Sequence, residues 1–160
     1  MKKHLIFLIL QLSFLLFGHL ESMAQKNSGV EFYTGTFNDL LRESKKQKKP
    51  IILDFWASWC GPCQKLDNET FSNKELGSFT KENFLVYKVD IDTFDGMEIV
   101  DKYTVDVFPT LLVLDFKGKK VEKYKGFYPP GYLLKELEKT AANHQLFQYK
   151  KLIDSFALNK

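Results

Sequence analysis

The chain is poor in the residues that build metal centres and cross-linked scaffolds. Only two of its 160 residues are Cys and only three are His. Two thiols cannot form the framework that staples small secreted domains. Nor is there an excess of charge. The chain holds 23 basic and 20 acidic side chains, a balance that argues against nucleic acid or an anionic membrane as its main partner. Internal repeats and low-complexity blocks are absent. Long apolar runs are scarce too, the one at the N-terminus being the exception. Neither Cys lies in or just after it, which excludes a lipid anchor of the bacterial lipoprotein kind.

That run has a three-part order. Lys2 and Lys3 precede an apolar stretch from Leu5 to Phe17, and Ser22-Met23-Ala24 supplies small residues where a signal peptidase cuts. The expectation is a secretory signal over residues 1–24, cleaved after Ala24, and an exported, periplasmic protein. An uncleaved membrane anchor is the alternative, but the stretch is shorter than the roughly 20 residues a spanning helix needs. Cleavage removes Lys2, Lys3 and Glu21 and leaves 21 basic against 19 acidic residues. The remaining 136 residues are enough for one domain with one core. Fifteen Phe in the whole chain can fill it.

Along the mature chain, residues 25–35 read as a polar leader and a short strand at Val30–Tyr33. Thr36 is placed to cap a helix through Gln47, with Phe37, Leu40 and Leu41 inward. Lys45, Lys46, Gln47, Lys48 and Lys49 close it, where cations suit the negative end of the helix dipole; a docking patch for an acidic partner is the alternative. Ile51–Ala57 is apolar on both alternating faces, Ile51, Leu53 and Phe55 on one and Ile52, Asp54 and Trp56 on the other. Such a strand belongs in mid-sheet, covered by helices on both sides. A helix is expected from Gly61 and another near Asn73–Glu82, then a strand at Phe84–Ile91 and a helix at Gly96–Tyr103. Thr110–Phe116 and Lys120–Lys125 form a hairpin around Lys117-Gly118. Pro130 starts an amphipathic helix. The order predicts an α/β fold with a mixed central sheet flanked by helices on both faces, a three-layer sandwich. The domain spans residues 36–142, and residues 143–160 form a helical extension that packs back or reaches a partner.

Three explanations compete for two Cys at positions 60 and 63. Structural zinc needs about four ligands, and once His4 and His19 leave with the signal only His144 remains; no metal or other cofactor is expected. A structural disulfide over so short a loop gains only about 2 kcal/mol. Redox catalysis fits the surroundings better. Cys60 sits where an apolar strand ends and a helix begins, and the unpaired N–H groups of that helix favour a thiolate. Gly61 leaves the thiol open, Pro62 stiffens the first turn without a lost hydrogen bond, and Cys63 lies one turn on, more buried and able to resolve a mixed disulfide. Asp54, among apolar side chains six residues before Cys60, should have a raised pKa and serve as base toward Cys63.

The run Leu53-Asp54-Phe55-Trp56-Ala57-Ser58-Trp59-Cys60-Gly61-Pro62-Cys63 resembles the active-site segment of the thioredoxin family, and the resemblance extends over Thr36–Ala142. It implies the thioredoxin fold and a redox-active Cys60–Cys63 pair, with Trp59 as part of the motif. Val107-Phe108-Pro109-Thr110 resembles the family segment whose proline is cis and lies beside the redox pair. Phe108, Pro109 and Gly126 are thereby implied to line the substrate groove, and Lys88 to stand near the buried Asp54. Lys49–Asp54 and Glu69–Asn73 also resemble the exported thioredoxin-like group that includes the C-terminal periplasmic domain of the membrane thiol:disulfide interchange reductase. In that group a second acid follows the redox helix, and Asp67 takes its place. By helical spacing Asp67 would share the face of the cysteines and oppose thiolate formation; a solvated helix Asp is the alternative. Gly-Pro between the cysteines departs from this group, and Phe108 departs from the Thr or Ile common in thioredoxins.

The expected activity is reduction of protein or peptide disulfides by a monomer recharged from a membrane-embedded electron donor, with no nucleic acid involved. Oxidase or isomerase action is the alternative within the same chemistry. A non-catalytic binding module is the alternative outside it.

Overall fold

The computed structural model describes residues 29–157. The expected signal segment and its cleavage point lie outside these residues, as do the side chains whose packing would decide the role of 143–160.

The first helix, α1 (Phe37–Gln47), starts at Thr36 for the reason its sequence indicates. The Thr36 hydroxyl accepts from the Asp39 N–H, and the Asp39 carboxylate accepts from the Thr36 N–H, a reciprocal cap. It ends where Lys48 turns left-handed at φ 54°. Strand β1 (Ile51–Trp56) follows. The redox helix α2 (Gly61–Lys65) passes without a break into a π-helical segment, Leu66–Phe71. Then come α3 (Lys74–Asn83), β2 (Leu85–Asp90), α4 (Phe94–Tyr103), β3 (Thr110–Leu114), β4 (Lys120–Lys125) and α5 (Pro130–Ala157).

The sheet order is β2-β1-β3-β4. β1 runs parallel to β2 and antiparallel to β3, which pairs antiparallel with β4. The doubly apolar strand β1 is therefore central, and its two faces feed two cores. Ile52, Val86, Leu111 and Val113 pack under Leu66, Phe71, Leu76, Leu133 and Leu137, the side covered by the redox helix, α3 and α5. Ile51, Leu53, Phe55 and Leu112 pack under Leu40, Ile99 and Tyr103, the side covered by α1 and α4. Leu53 and Phe55 are fully buried, and each such side chain contributes roughly 1.5–3 kcal/mol through lost water contact.

Two expectations need correction. Val30–Tyr33 is not a strand: only Phe32 bridges to Val86, because the Val30 N–H is taken by the carbonyl of Phe71. The redox helix does not keep α-helical geometry; it widens after Lys65, which brings Leu66, Thr70 and Phe71 to the buried side together. The expected extension after residue 142 continues the preceding helix, α5 running unbroken from Pro130 to Ala157.

Candidate active site

Strand β1 ends at Trp56, and four residues later Cys60 caps α2, its Sγ accepting from the Cys63 N–H at 3.2 Å. Cys60 and Cys63 are joined by a disulfide, with Cα atoms 5.2 Å apart. Pro62 occupies the first turn, where no N–H is missed. Space around Gly61 is open. Sequence reasoning expected a clear difference in burial, yet Cys60 is 5% and Cys63 2% exposed. What distinguishes Cys60 is its rim, since Trp59, Gly61 and Pro62 are all exposed and Cys63 lies one turn inside.

The peptide bond between Phe108 and Pro109 is cis. Phe108 packs against Ala57, Cys60 and Cys63, so this loop borders the disulfide as the resemblance implied. Two contacts hold it. The Thr110 hydroxyl donates to the Val107 carbonyl at 2.7 Å, and the Gly126 N–H donates to the Pro109 carbonyl at 2.8 Å. Gly126 has φ 87°, a conformation that glycine reaches without steric cost. Its place beside Pro109 thus has a backbone reason.

Asp54 lies on the opposite side of Trp56 in sequence, on β1, and is 1% exposed. The parallel register sets Asp54 beside Lys88, and Lys88 Nζ meets Asp54 Oδ2 at 2.9 Å and Asp67 Oδ1 at 2.6 Å. Asp67 is therefore neither a charge left alone near the sulfurs nor a fully solvated helix residue; it shares one ammonium with Asp54. Rings of Phe32, Trp56 and Phe71 lie within 4.8, 4.8 and 5.6 Å of that ammonium, a cationic cage. Burial pushes the Asp54 carboxyl up to about 6, against the pull of Lys88 and with a small push from Asp67. Asp54 Oδ1 and Trp56 Nε1 are buried without hydrogen-bond partners. A carboxylate that is half ionised near pH 6, with one oxygen open, is suited to take up a proton.

Several contributors escaped sequence reasoning. The Trp59 indole N–H donates to Asp92, at 2.9 Å to the nearer oxygen, and Gln64 donates to the Ser58 carbonyl at 2.6 Å. Lys65 stands 4.5 Å above the Phe127 ring. Asp92 is held because α4 begins hard against β2: a Cβ on Gly96 would sit 1.8 Å from the Asp90 carbonyl oxygen. A glycine three residues after Thr93 was the only trace of this in the sequence.

A family model described as a thioredoxin-like domain matches residues 37–141. The thiol:disulfide interchange protein DsbD of Campylobacter jejuni is 34% identical over 116 residues, 72% of this chain but 20% of that protein. The chain thus spans about a fifth of the length of this relative. The chloroplastic thioredoxin Y2 of Arabidopsis thaliana is 32% identical over 104 residues, 64% of this chain and 56% of that one. Among solved structures, the C-terminal domain of Neisseria meningitidis DsbD in its oxidised form superposes with a TM-score of 0.58 at 22% identity, covering 69% of this chain and 99% of that domain. A thioredoxin from Thermus thermophilus gives a TM-score of 0.62 at 24% identity, covering 69% and 86%. These two likenesses establish the thioredoxin fold.

Proposed function

We propose that this chain, which belongs to the thioredoxin-like family of disulfide oxidoreductases, works as an exported reductant of protein disulfides. The observation that carries the reading is the Cys60–Cys63 disulfide at a strand-to-helix junction, bordered by the cis Pro109 loop and backed by the buried Asp54. In the reduced protein the Cys60 thiolate, favoured by the N–H groups of α2, attacks one sulfur of a client disulfide. The client's other sulfur leaves as a thiolate, and a mixed disulfide remains on Cys60. Cys63 then gives its proton to Asp54 through water and attacks the Cys60 sulfur, releasing the client's second thiol. The client gains two electrons and this chain is left as the disulfide.

Within this reading Phe108, Pro109 and Gly126 bind the client backbone, Lys88 and Asp67 set the charge state of Asp54, and Trp59 frames the entrance. Residues 1–24 act as a cleaved signal, the domain occupies 36–142, and the protein operates in the periplasm. Oxidised protein must be recharged there, so a membrane-embedded dithiol donor is part of the proposal; the similarity to DsbD supports it. Among the described residues no helix is long and apolar enough to cross a membrane.

Equilibration against a glutathione series tests the direction. A potential between about −270 and −230 mV is expected, and a value near −120 mV would make Cys60 a disulfide donor instead. Cys63→Ser should accumulate mixed disulfides on Cys60, and a non-catalytic binding module would show none.

A further inference from the structure

The small net charge conceals a strong separation of charge along the sheet. Residues 42–49 and 115–120 together hold eight cationic and two acidic side chains, so the remainder of a chain whose total is +3 is net −3. The topology brings those two segments to one place. α1 ends just before Ile51, the first residue of β1, and Leu114, the last residue of β3, pairs with Ile51. Both the helix end and the β3–β4 turn therefore lie at the end of the sheet away from Cys60, about 17 Å of strand distant. They touch: a Cβ on Gly118 would be 3.4 Å from Leu41 Cδ2. Leu41, Arg42, Lys45, Phe116 and Lys117 line a shallow pocket of about 420 Å³ between them.

Arg42, Lys45, Lys46 and Lys48 are exposed on the helix side. Lys117, Lys119 and Lys120 are exposed on the turn side. The acids in these segments are mostly engaged locally. Asp115 accepts from the backbone N–H groups of Lys117 and Lys119, and Glu43 accepts from Gln47. At the other end of the sheet the sign reverses. Asp90, paired with Trp56, and Asp92, tied to Trp59 beside the disulfide, lie there with Asp95 in the first turn of α4, whereas Glu98 and Asp101 follow α4 back toward the β3–β4 turn, which Tyr103 contacts through Gly118 and Lys120.

We infer that the basic end is a docking surface for anionic lipid headgroups, holding the protein at a membrane with its redox end turned away. Arg42, Lys46 and Lys120 also contact Asp39, Glu43 and the Tyr103 carbonyl, while the exposed Lys45, Lys48, Lys117 and Lys119, spread over two elements, suit a diffuse anionic surface. The apolar floor between Leu41 and Phe116 suits the boundary between headgroups and acyl chains. The acidic redox end is repelled by the same surface, which sets the orientation. This goes beyond the redox reading; under that reading, recharge by the membrane-embedded donor takes place after release from the lipid surface.

Co-sedimentation with vesicles tests the surface, comparing phosphatidylglycerol mixed in equal parts with phosphatidylcholine against phosphatidylcholine alone. Binding to the mixed vesicles should be at least about tenfold stronger, and should collapse when salt rises from about 0.1 M to about 1 M and the Debye length falls from ~10 to ~3 Å. Lys45→Glu with Lys117→Glu should remove that preference while reduction of a small disulfide stays unchanged. Any affinity of the N-terminal segment, with its Lys2 and Lys3, is common to both proteins and cancels when the native protein is compared with the double variant. After reduction of the Cys60–Cys63 disulfide, the Cys60 thiolate on vesicle-bound protein should react with a membrane-impermeant disulfide reagent as fast as on free protein. Equal binding to both vesicles, a preference that survives the double variant, or a shielded Cys60 would each overturn the inference. Capture by polyglutamate with no lipid preference would overturn it as well, and assign the surface to an acidic polypeptide.

Discussion

Asp54 meets Lys88 at 2.9 Å and Asp106 meets Lys125 at 2.9 Å, yet the two carboxyls are pushed in opposite directions. Asp106, out in water, is held below its ordinary value, chiefly by its hydrogen bond to Lys125. Asp54 rises from 3.8 to about 6, because the loss of solvent in the interior outweighs the attraction of Lys88. The length of an ion pair therefore says little about which charge state a site favours. Burial decides it, since removing a carboxylate from water costs more than one neighbouring ammonium returns. The pair at the β3 end is a surface contact; the pair beneath the redox helix holds a carboxyl whose ionisation lies closer to neutral pH.

The largest expected break in this contrast is Asp54→Asn. A folded-state pKa above the unfolded one gives stability that is fully present below the unfolded value and is lost as pH rises through the folded value. The contribution of Asp54 should therefore fall by about 3 kcal/mol between pH 4 and pH 6 and little more above, and Asp54→Asn should remove that decline from urea unfolding curves relative to the native protein. The same variant should slow decay of the mixed disulfide roughly 100-fold by removing the base. A variant with an undiminished rate would exclude Asp54 from proton transfer. Next in size is Lys88→Met. Both influences that lower Asp54 vanish together, so its carboxyl should climb beyond about 6, the decline in stability should extend to higher pH, and the protein should be weaker at neutral pH by about 1–3 kcal/mol. Lys125→Met should do least. Asp106 keeps water and Lys123 around it, so its pH–stability profile should overlay the native one, and a new acid transition would show that exposed pairs matter more here than solvent screening allows.

How much of this could be read beforehand varies with the range of the interaction. Thr36, Asn73 and Thr93 each cap a helix through a residue three positions on. Such contacts are local, and Thr36 and the start near Asn73 were legible for that reason. The central strand was legible because Ile51 to Trp56 is apolar on both alternating faces. Lys88 was harder. Nothing in Tyr87-Lys88-Val89 points to Asp54, and only resemblance suggested it; the register of β1 on β2 makes the pair. Asp92 left no trace beyond Gly96, since a short polar loop after a strand looks the same whether or not an indole reaches it. Val30–Tyr33 misled because strand propensity cannot tell which carbonyl will take an N–H.

The sequence by itself determined the redox pair and its helix-capping position, the order of strands and helices from Thr36 onward, and the burial of Asp54, all of which follow from contacts a few residues apart or from alternation along one strand. Tertiary structure alone decided that one ammonium serves both Asp54 and Asp67, that the redox helix widens after Lys65, and that the charges gather at opposite ends of the sheet. Those depend on register and on which segments pack together, and a net charge or a periodicity, being a sum along the chain, carries no record of either.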